Sequence, residues 1–533
     1  MDLKRLPNLV IHPFLFALFP IVSLYANNFW EIPYSEVPAN VFYPLFLSFS
    51  GIIIVLAIFK YFSWNCHRAG IILSFSFILF FSFGHVASSI FPKMYWALFC
   101  LWILLYALLV IFALRKIRSS YPSLACQNLT KILNVVGAIL ILLPFLTLIT
   151  HVVKKRNQGQ LPNSTETDLS VFSARYPAES RRDIYYLIFD RYGNTKNLQE
   201  FFNFDNSDFL KELRNLGFYT AEKSTANYLK TATSLSSSLN MCYLDWLTQI
   251  MGTDSPDWRP LYNHLLKNSQ IIIFLKAQGY QIIHFGSSWQ PTAKNSYADF
   301  NFNYHYHSFF NQILLKKSFL APFLIILKQN NISLFDRQSK AYTNWLRIPW
   351  IFEKLTKIPT WEKPTFTFVH MLSPHPPHVF DVDGNYLPPK NDSLEERYSK
   401  EGYVRQVRYL NQEILKLVKN LQKKSDLQPI IIIQSDEGPF PIEYARSENL
   451  FDWTKATKSQ LRKKMGILNA LYLPDLKESS VLHQDMTPVN IFRIILRNYF
   501  NIPINLLPDR NYIFKNNYHL YQFFDVTEKI KTP

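Results

Sequence analysis

The chain has 533 residues, too many for one ordinary domain, with 48% hydrophobic and 16% aromatic residues and a formal net charge of +17. The basic excess is diffuse and follows no nucleic-acid-binding motif, so it points to an anionic membrane surface or an anionic substrate. Of the four cysteines, only Cys242 lies beyond the apolar first third, which excludes a disulfide within the remainder, and no CxxC pair is present.

Five apolar stretches approach or reach the roughly 18 residues needed to span a bilayer: 9–26, 41–59, 70–91, 94–114 and 132–153. The first contains His12, Pro13 and Pro20 and resembles a signal sequence, but no small-residue cleavage site follows, so it is read as a span. Loop cations orient the bundle. Lys4 and Arg5 precede the first span, Lys60 and Arg68 lie between the second and third, and Arg115, Lys116, Arg118 and Lys131 lie between the fourth and fifth. Loop 27–40 has no cation. The N-terminus is therefore cytoplasmic, and an odd number of spans places the chain after about residue 154 outside. Lys154, Lys155 and Arg156 run against this rule, which long translocated domains follow poorly. The spans lack intramembrane acids, which argues against a transporter. The expected organisation is a transmembrane helical domain over 1–154, a polar linker over 155–182 and an α/β domain over 183–533.

In the third part, "DIYYLIFD" (183–190) reads as a buried strand. A helix is predicted over 206–216 and another over 262–278, each ended by a glycine, Gly217 and Gly279. Strands are predicted at 280–286 and 365–372. The segment 398–424 carries Tyr403, Val407, Leu410, Ile414, Leu417 and Leu421 at helical spacing and leads into the Ile430–Ile433 strand. A further strand over 467–473 and a helix over 487–500 follow. Residues 287–360 are aromatic and irregular and are not placed. Helices alternating with apolar strands predict a mainly parallel sheet covered on both faces.

Ligands of such sheets gather at the carboxyl ends of the strands. Three strand ends carry metal-type ligands: Asp190, the pair Asp436 and Glu437, and the "SPHPPH" segment with His375 and His378. The segment 227–241, "NYLKTATSLSSSLNM", is dense in hydroxyls and opens a helix-compatible stretch, where free N–H groups bind phosphate and a cation-bound hydroxyl becomes nucleophilic. Taken singly, each of these residues is also an ordinary turn or loop residue. His370, inside a strand, reads as structural, and His483 as a helix-entry residue.

The order of these parts, with "DIYYLIFDRYGN", "SLSSSLNM", "HMLSPHPPHVFDVDGN" and "QSDEGP", resembles the alkaline phosphatase/sulfatase superfamily. The likeness is to its membrane-anchored branch of lipoteichoic acid synthases and phosphoethanolamine transferases. The resemblance implies an alkaline phosphatase-like fold at the outer face of the bacterial cytoplasmic (inner) membrane. It implies Thr231 as nucleophile and cation contact, Asp190, Asp436 and Glu437 as metal ligands, and His375 and His378 as substrate contacts, with His375 also catalytic. The implied substrate is a membrane lipid or lipid-linked phosphoester. Glu437 departs from the Asp-His pair usual in the family. An anionic ligand there favours Mn²⁺ or Mg²⁺ over Zn²⁺, which remains compatible. Cys242 does not fit the formylglycine motif of arylsulfatases. The expected activity is a metal-dependent phosphotransferase or phosphodiesterase, against two alternatives: a non-catalytic envelope protein with a degenerate site, and a sulfuric ester hydrolase.

Overall fold

The computed structural model describes residues 9–29, 41–61, 65–87, 92–116, 124–156, 181–304, 309–329, 340–390 and 393–531. Most of the 155–182 linker lies outside these. The chain forms two compact units, one comprising Met1–Gln158 and His307–Asp336, the other Gly159–Tyr306 and Arg337–Pro533. The domain boundary expected at 183 therefore misses an excursion: residues 307–336 leave the α/β unit and join the first.

Among the described residues, the N-terminal part of the first unit contains five apolar helices, α1 (His12–Asn27), α2 (Tyr43–Tyr61), α3 (Cys66–His85), α4 (Tyr95–Lys116) and α5 (Leu124–Arg156). Three contain runs long and apolar enough to cross a membrane: Tyr43–Tyr61, Cys66–His85 and Leu124–Val153. His12–Asn27 and the run Tyr95–Leu109 are shorter apolar helices, so among the described residues three of the five expected spans are supported on length. Most large apolar side chains of α2, α4 and α5 face outward, as residues solvated by lipid do.

The second unit is built on seven strands: β1 (Ile184–Phe189), β2 (Tyr219–Thr220), β3 (Gln281–Phe285), β4 (Phe300–Phe302), β5 (Thr365–Met371), β6 (Ile430–Gln434) and β7 (Asn469–Tyr472). Their order is β2-β7-β6-β1-β5-β3-β4. The five neighbours from β6 to β4 are mutually parallel, as expected, while β7 runs against β6 and makes the sheet mixed. Alternation along β1 divides the core. Tyr185, Leu187 and Phe189 enter one apolar cluster with Val407, Leu410, Ile414 and Leu417. Ile184, Tyr186 and Ile188 enter the other with Phe274, Phe492 and Ile495. Burial on both faces explains why these strands read as continuous apolar runs.

The helix expected over 262–278 is broken into a wide turn at Pro260–Leu265 and a helix at Gln270–Ala277. Buried Lys267 and Ser269 fall at the break. The helix Thr231–Asn240, called α6 here, is buried beyond its first residue although it is rich in serine. Its side chains return to nearby carbonyls: Ser234 donates to Tyr228 O, Ser237 to Cys242 O and Ser238 to Ser234 O. These bonds offset the burial of three of its hydroxyls, and Leu235 and Leu239 join the apolar cluster on one face of the sheet.

Candidate active site

β1 lies between β5 and β6, so three carboxyl ends come together. Ile188 is paired with His370 on one side and Gln434 on the other. Asp190 follows β1 directly, and its N–H donates to Met371 O at 2.9 Å. Asp190, His370 and Asp436 are buried, and one potential ligand atom from each lies within 4.8 Å of the others. Asp190 Oδ1, both carboxylate oxygens of Asp436 and His370 Nε2 have no well-formed hydrogen-bond partner in the protein. Buried carboxylate oxygens without partners are costly. Two carboxylates and an imidazole nitrogen converging on one point are a donor set that fits a divalent cation.

The imidazole is aimed from behind. His370 Nδ1 shares a 2.8 Å hydrogen bond with Thr292 Oγ1, which is also 2.8 Å from Ser287 Oγ. This leaves Nε2 toward the carboxylates, the arrangement by which an outer hydrogen bond orients a ligating histidine. Burial, with the charge of His284 adding to it, lowers the His370 pKa to about 3, so the ring is neutral and able to ligate. Burial also raises the Asp436 pKa to about 7, with the Glu437 charge assisting. Asp190 is raised by burial and then by Asp436 and Glu437, with Arg191 and Lys464 opposing. A bound cation would reverse these upward shifts.

Thr231 is the first residue of α6 and stands beside Asp436. Its hydroxyl offsets part of the rise in the Asp436 pKa without forming a full hydrogen bond. The preceding Lys230 is extended and provides no side-chain cap, so the positive end of the helix is presented at Thr231.

Glu437 turns elsewhere. Its Oε2 lies 2.8 Å from Lys464 Nζ and its Oε1 accepts from Arg191 Nε at 3.3 Å. Both cations also lie over the Phe440 ring, at 3.8 and 3.4 Å from its centroid. Lys464 is fully buried, and burial lowers its pKa to about 7 against the raising effect of Glu437. Lys230 approaches the same ring and pairs with Glu448 at 3.2 Å. Glu437 is therefore not among the converging ligands; it is the anion of a buried Arg-Glu-Lys cluster.

The histidines after β5 divide. His378 is buried and kept neutral, its pKa lowered to about 3 by burial and then by Arg405 and Arg191. It lines a pocket with Arg191, Tyr398, Tyr403, Phe440 and Lys463. His375 is half-buried between two lining prolines, Pro374 and Pro376. Neither joins the Asp190, His370 and Asp436 group. Sequence reasoning missed His370, Arg191 and Lys464. His370 carried the signal of a polar residue one place short of a strand end. Arg191 adjoined a ligand candidate, and Lys464 carried no signal.

Parallel strand ends bearing this acidic group beside a helix N-terminus define an α/β domain with its candidate site at the strand ends, the class of fold that the resemblance to the alkaline phosphatase superfamily implies. A family model described as "Sulfatase" matches residues 213–496, just over half the chain. The chain belongs to the sulfatase family. No curated protein matches it. Solved structures similar to it include the periplasmic domain of EcEptC from Escherichia coli, at 12% identity and a TM-score of 0.41, covering 66% of this chain and 96% of that one. Another is the integral membrane lipooligosaccharide phosphoethanolamine transferase A (EptA) from Neisseria meningitidis, at 12% identity and a TM-score of 0.37, covering 90% of this chain and 94% of that one. A third is the putative sulfatase yidJ from Bacteroides fragilis, at 12% identity and a TM-score of 0.37, covering 64% and 83%. These are weak likenesses, and the family assignment stands on the sequence model.

Proposed function

We propose that the chain is a membrane-anchored, metal-dependent phosphoester transferase or hydrolase, with its α/β domain outside the cytoplasm. The observation that carries this reading is the convergence of Asp190, His370 and Asp436 beside Thr231. Asp190, Asp436 and the neutral His370 would hold one divalent cation, with Thr231 in reach of it. Such a cation supplies Lewis acidity and makes a neighbouring hydroxyl a usable nucleophile near neutral pH.

The chain's own residues then have separable tasks. Thr231 loses its hydroxyl proton to solvent as its Oγ attacks phosphorus and the P–O bond to the leaving alkoxide breaks; the phospho-group then passes to a second alcohol or to water, which gives up its own proton to solvent, and the Thr231 oxygen is reprotonated. The open first turn of α6, Arg191 and Lys464 stabilise charge on the transferring oxygens. Glu437 holds those two side-chain cations in place, so the site combines one metal seat with fixed protein cations. His375 protonates the leaving alcohol, and His378 with Arg191 and Lys463 lines the pocket for the anionic substrate. Two buried cations opposite one glutamate suit an anion better than a neutral ester.

The test uses the full chain in detergent micelles. Elemental analysis should find bound metal, and turnover of a lipid phosphodiester should fall at least about 10³-fold in Thr231→Ala. Full activity in that variant removes the threonine mechanism. A chain with neither metal nor turnover returns the non-catalytic reading, and turnover of a sulfate ester alone returns the sulfatase reading.

A further inference from the structure

Residues 307–336 belong to the membrane unit although they fall between β4 and the helix Lys340–Leu355 of the α/β unit. The chain therefore passes between the units three times, at 158–159, 306–307 and 336–337. Among its described residues the excursion forms two short apolar helices: α7 (Phe309–Lys316) and α8 (Ala321–Gln329). At 1.5 Å per residue they are about 12 and 14 Å long, too short to cross a hydrocarbon core of about 30 Å.

Their docking is specific. The turn between them inserts its backbone at the end of α3: Gly84 N–H donates to Lys317 O at 3.1 Å, and Phe319 N–H donates to Phe80 O at 2.7 Å. Gly84 permits this approach, since a Cβ there would stand 2.4 Å from Lys317 Cα. Phe319 packs on Phe83, Phe99 and Tyr106 at centroid distances of 5.7, 5.5 and 5.0 Å. Phe310 is buried with Ile21 and Val41. These contacts fall in the C-terminal half of α1, just before α2, near the end of α3 and from the first turns to the middle of α4. Those four ends share one face of the bundle, and the loop charges place that face outside.

Part of the hairpin surface is apolar and exposed, although Phe323 also packs edge-on against Phe99 at 5.2 Å. Leu315, Leu320, Phe323 and Ile325 are between 36% and 44% exposed. Lys316 and Lys317 sit where α7 ends. Exposed apolar side chains bordered by lysines match a segment lying at the headgroup boundary.

We propose that α7 and α8 form an interfacial membrane hairpin at the outer face of the bundle, with Leu315, Leu320, Phe323 and Ile325 in the lipid. The α/β unit is thereby fastened to the bilayer by its own chain, independently of the 155–182 linker. This holds whether or not the phosphoester reading survives.

The test places a protease site in the 155–182 linker of the full chain, reconstituted in phospholipid vesicles. After cleavage and a high-salt wash, the C-terminal fragment should sediment with the vesicles. Leu315→Asp with Leu320→Asp should raise the released fraction at least about tenfold, because both side chains lose apolar burial. Gly84→Val, which displaces the turn from α3 and leaves the lipid-facing residues intact, should keep the fragment bound. Release of the unmodified fragment, retention of the aspartate variant, or release by Gly84→Val alone overturns the proposal. An unchanged melting temperature in the uncut variants confirms that they are folded.

Discussion

Replacing Glu437 by Gln separates a metal ligand from a holder of side-chain cations. The amide keeps the shape and removes the charge that faces Lys464 at 2.8 Å and Arg191 at 3.3 Å. Breaking a buried ion pair from one side costs about 3–5 kcal/mol, because the remaining charge is left uncompensated. Arg191 keeps its charge interaction with Asp190, its contact with Tyr398 and its place over Phe440. The loss therefore falls mainly on Lys464, and the lower end of the range applies, about 3 kcal/mol. At about 1.4 °C per kcal/mol for a unit of this size, the melting temperature of the α/β unit should fall by about 4 °C. The assay is thermal unfolding of the full chain in detergent, alongside calorimetric titration with Mn²⁺. Mn²⁺ affinity should change by no more than about threefold in Glu437→Gln, while Asp436→Asn should weaken it by at least about tenfold. An unchanged melting temperature together with lost Mn²⁺ affinity in Glu437→Gln refutes the reasoning and makes Glu437 a ligand.

Two further outcomes follow from the same geometry. Thr292→Val removes the hydrogen bond that aims His370, and Mn²⁺ affinity should fall about 10- to 100-fold, read by calorimetry, with Asp190 and Asp436 unaltered. His483 donates toward Asp509 Oδ2 at 2.8 Å; burial pulls its pKa down, but the hydrogen bond and charge of Asp509 outweigh this and the pKa is raised. A raised histidine pKa gives stability that is complete below the unfolded value near 6.5 and is lost as pH rises through the folded value. The pair is partly exposed, so its contribution is at most about 1 kcal/mol. His483→Gln should flatten the decline in melting temperature between about pH 6 and 8, and an equally steep decline in the variant counts against the pair.

The class of fold and two of the three converging ligands could be read directly from the chain. A strand buried on both faces must be apolar along its whole length, so β1, β3, β5 and β6 were visible as runs. A charged residue closing such a run stands out, as Asp190 and Asp436 do. Apolar length made the membrane helices visible too, although among the described residues three rather than five are long and apolar enough to cross a membrane. The 25-residue helix Lys400–Lys424 showed its buried face through its spacing.

What sequence could not supply was direction and partnership. β7 reads as a strand, but only pairing with β6 shows that it runs the other way. His370 reads as a core residue because it sits inside an apolar strand, and only the parallel register beside Ile188 brings it to the acids. Asp436 and Glu437 are neighbours in the chain, and neighbouring side chains leave the backbone in different directions. Asp436 thus joins the residues from β1 and β5, whereas Glu437 meets Arg191 and Lys464, the latter 27 positions later in the chain. The excursion at 307–336 was illegible for the same reason. Its helices are short and apolar, and only the backbone bonds to Phe80 and Gly84, more than 200 residues earlier, show which unit they belong to. Composition determined what had to be buried; the burial of charge against a distant charge was decided by the tertiary fold, because such pairing depends on which distant segments meet.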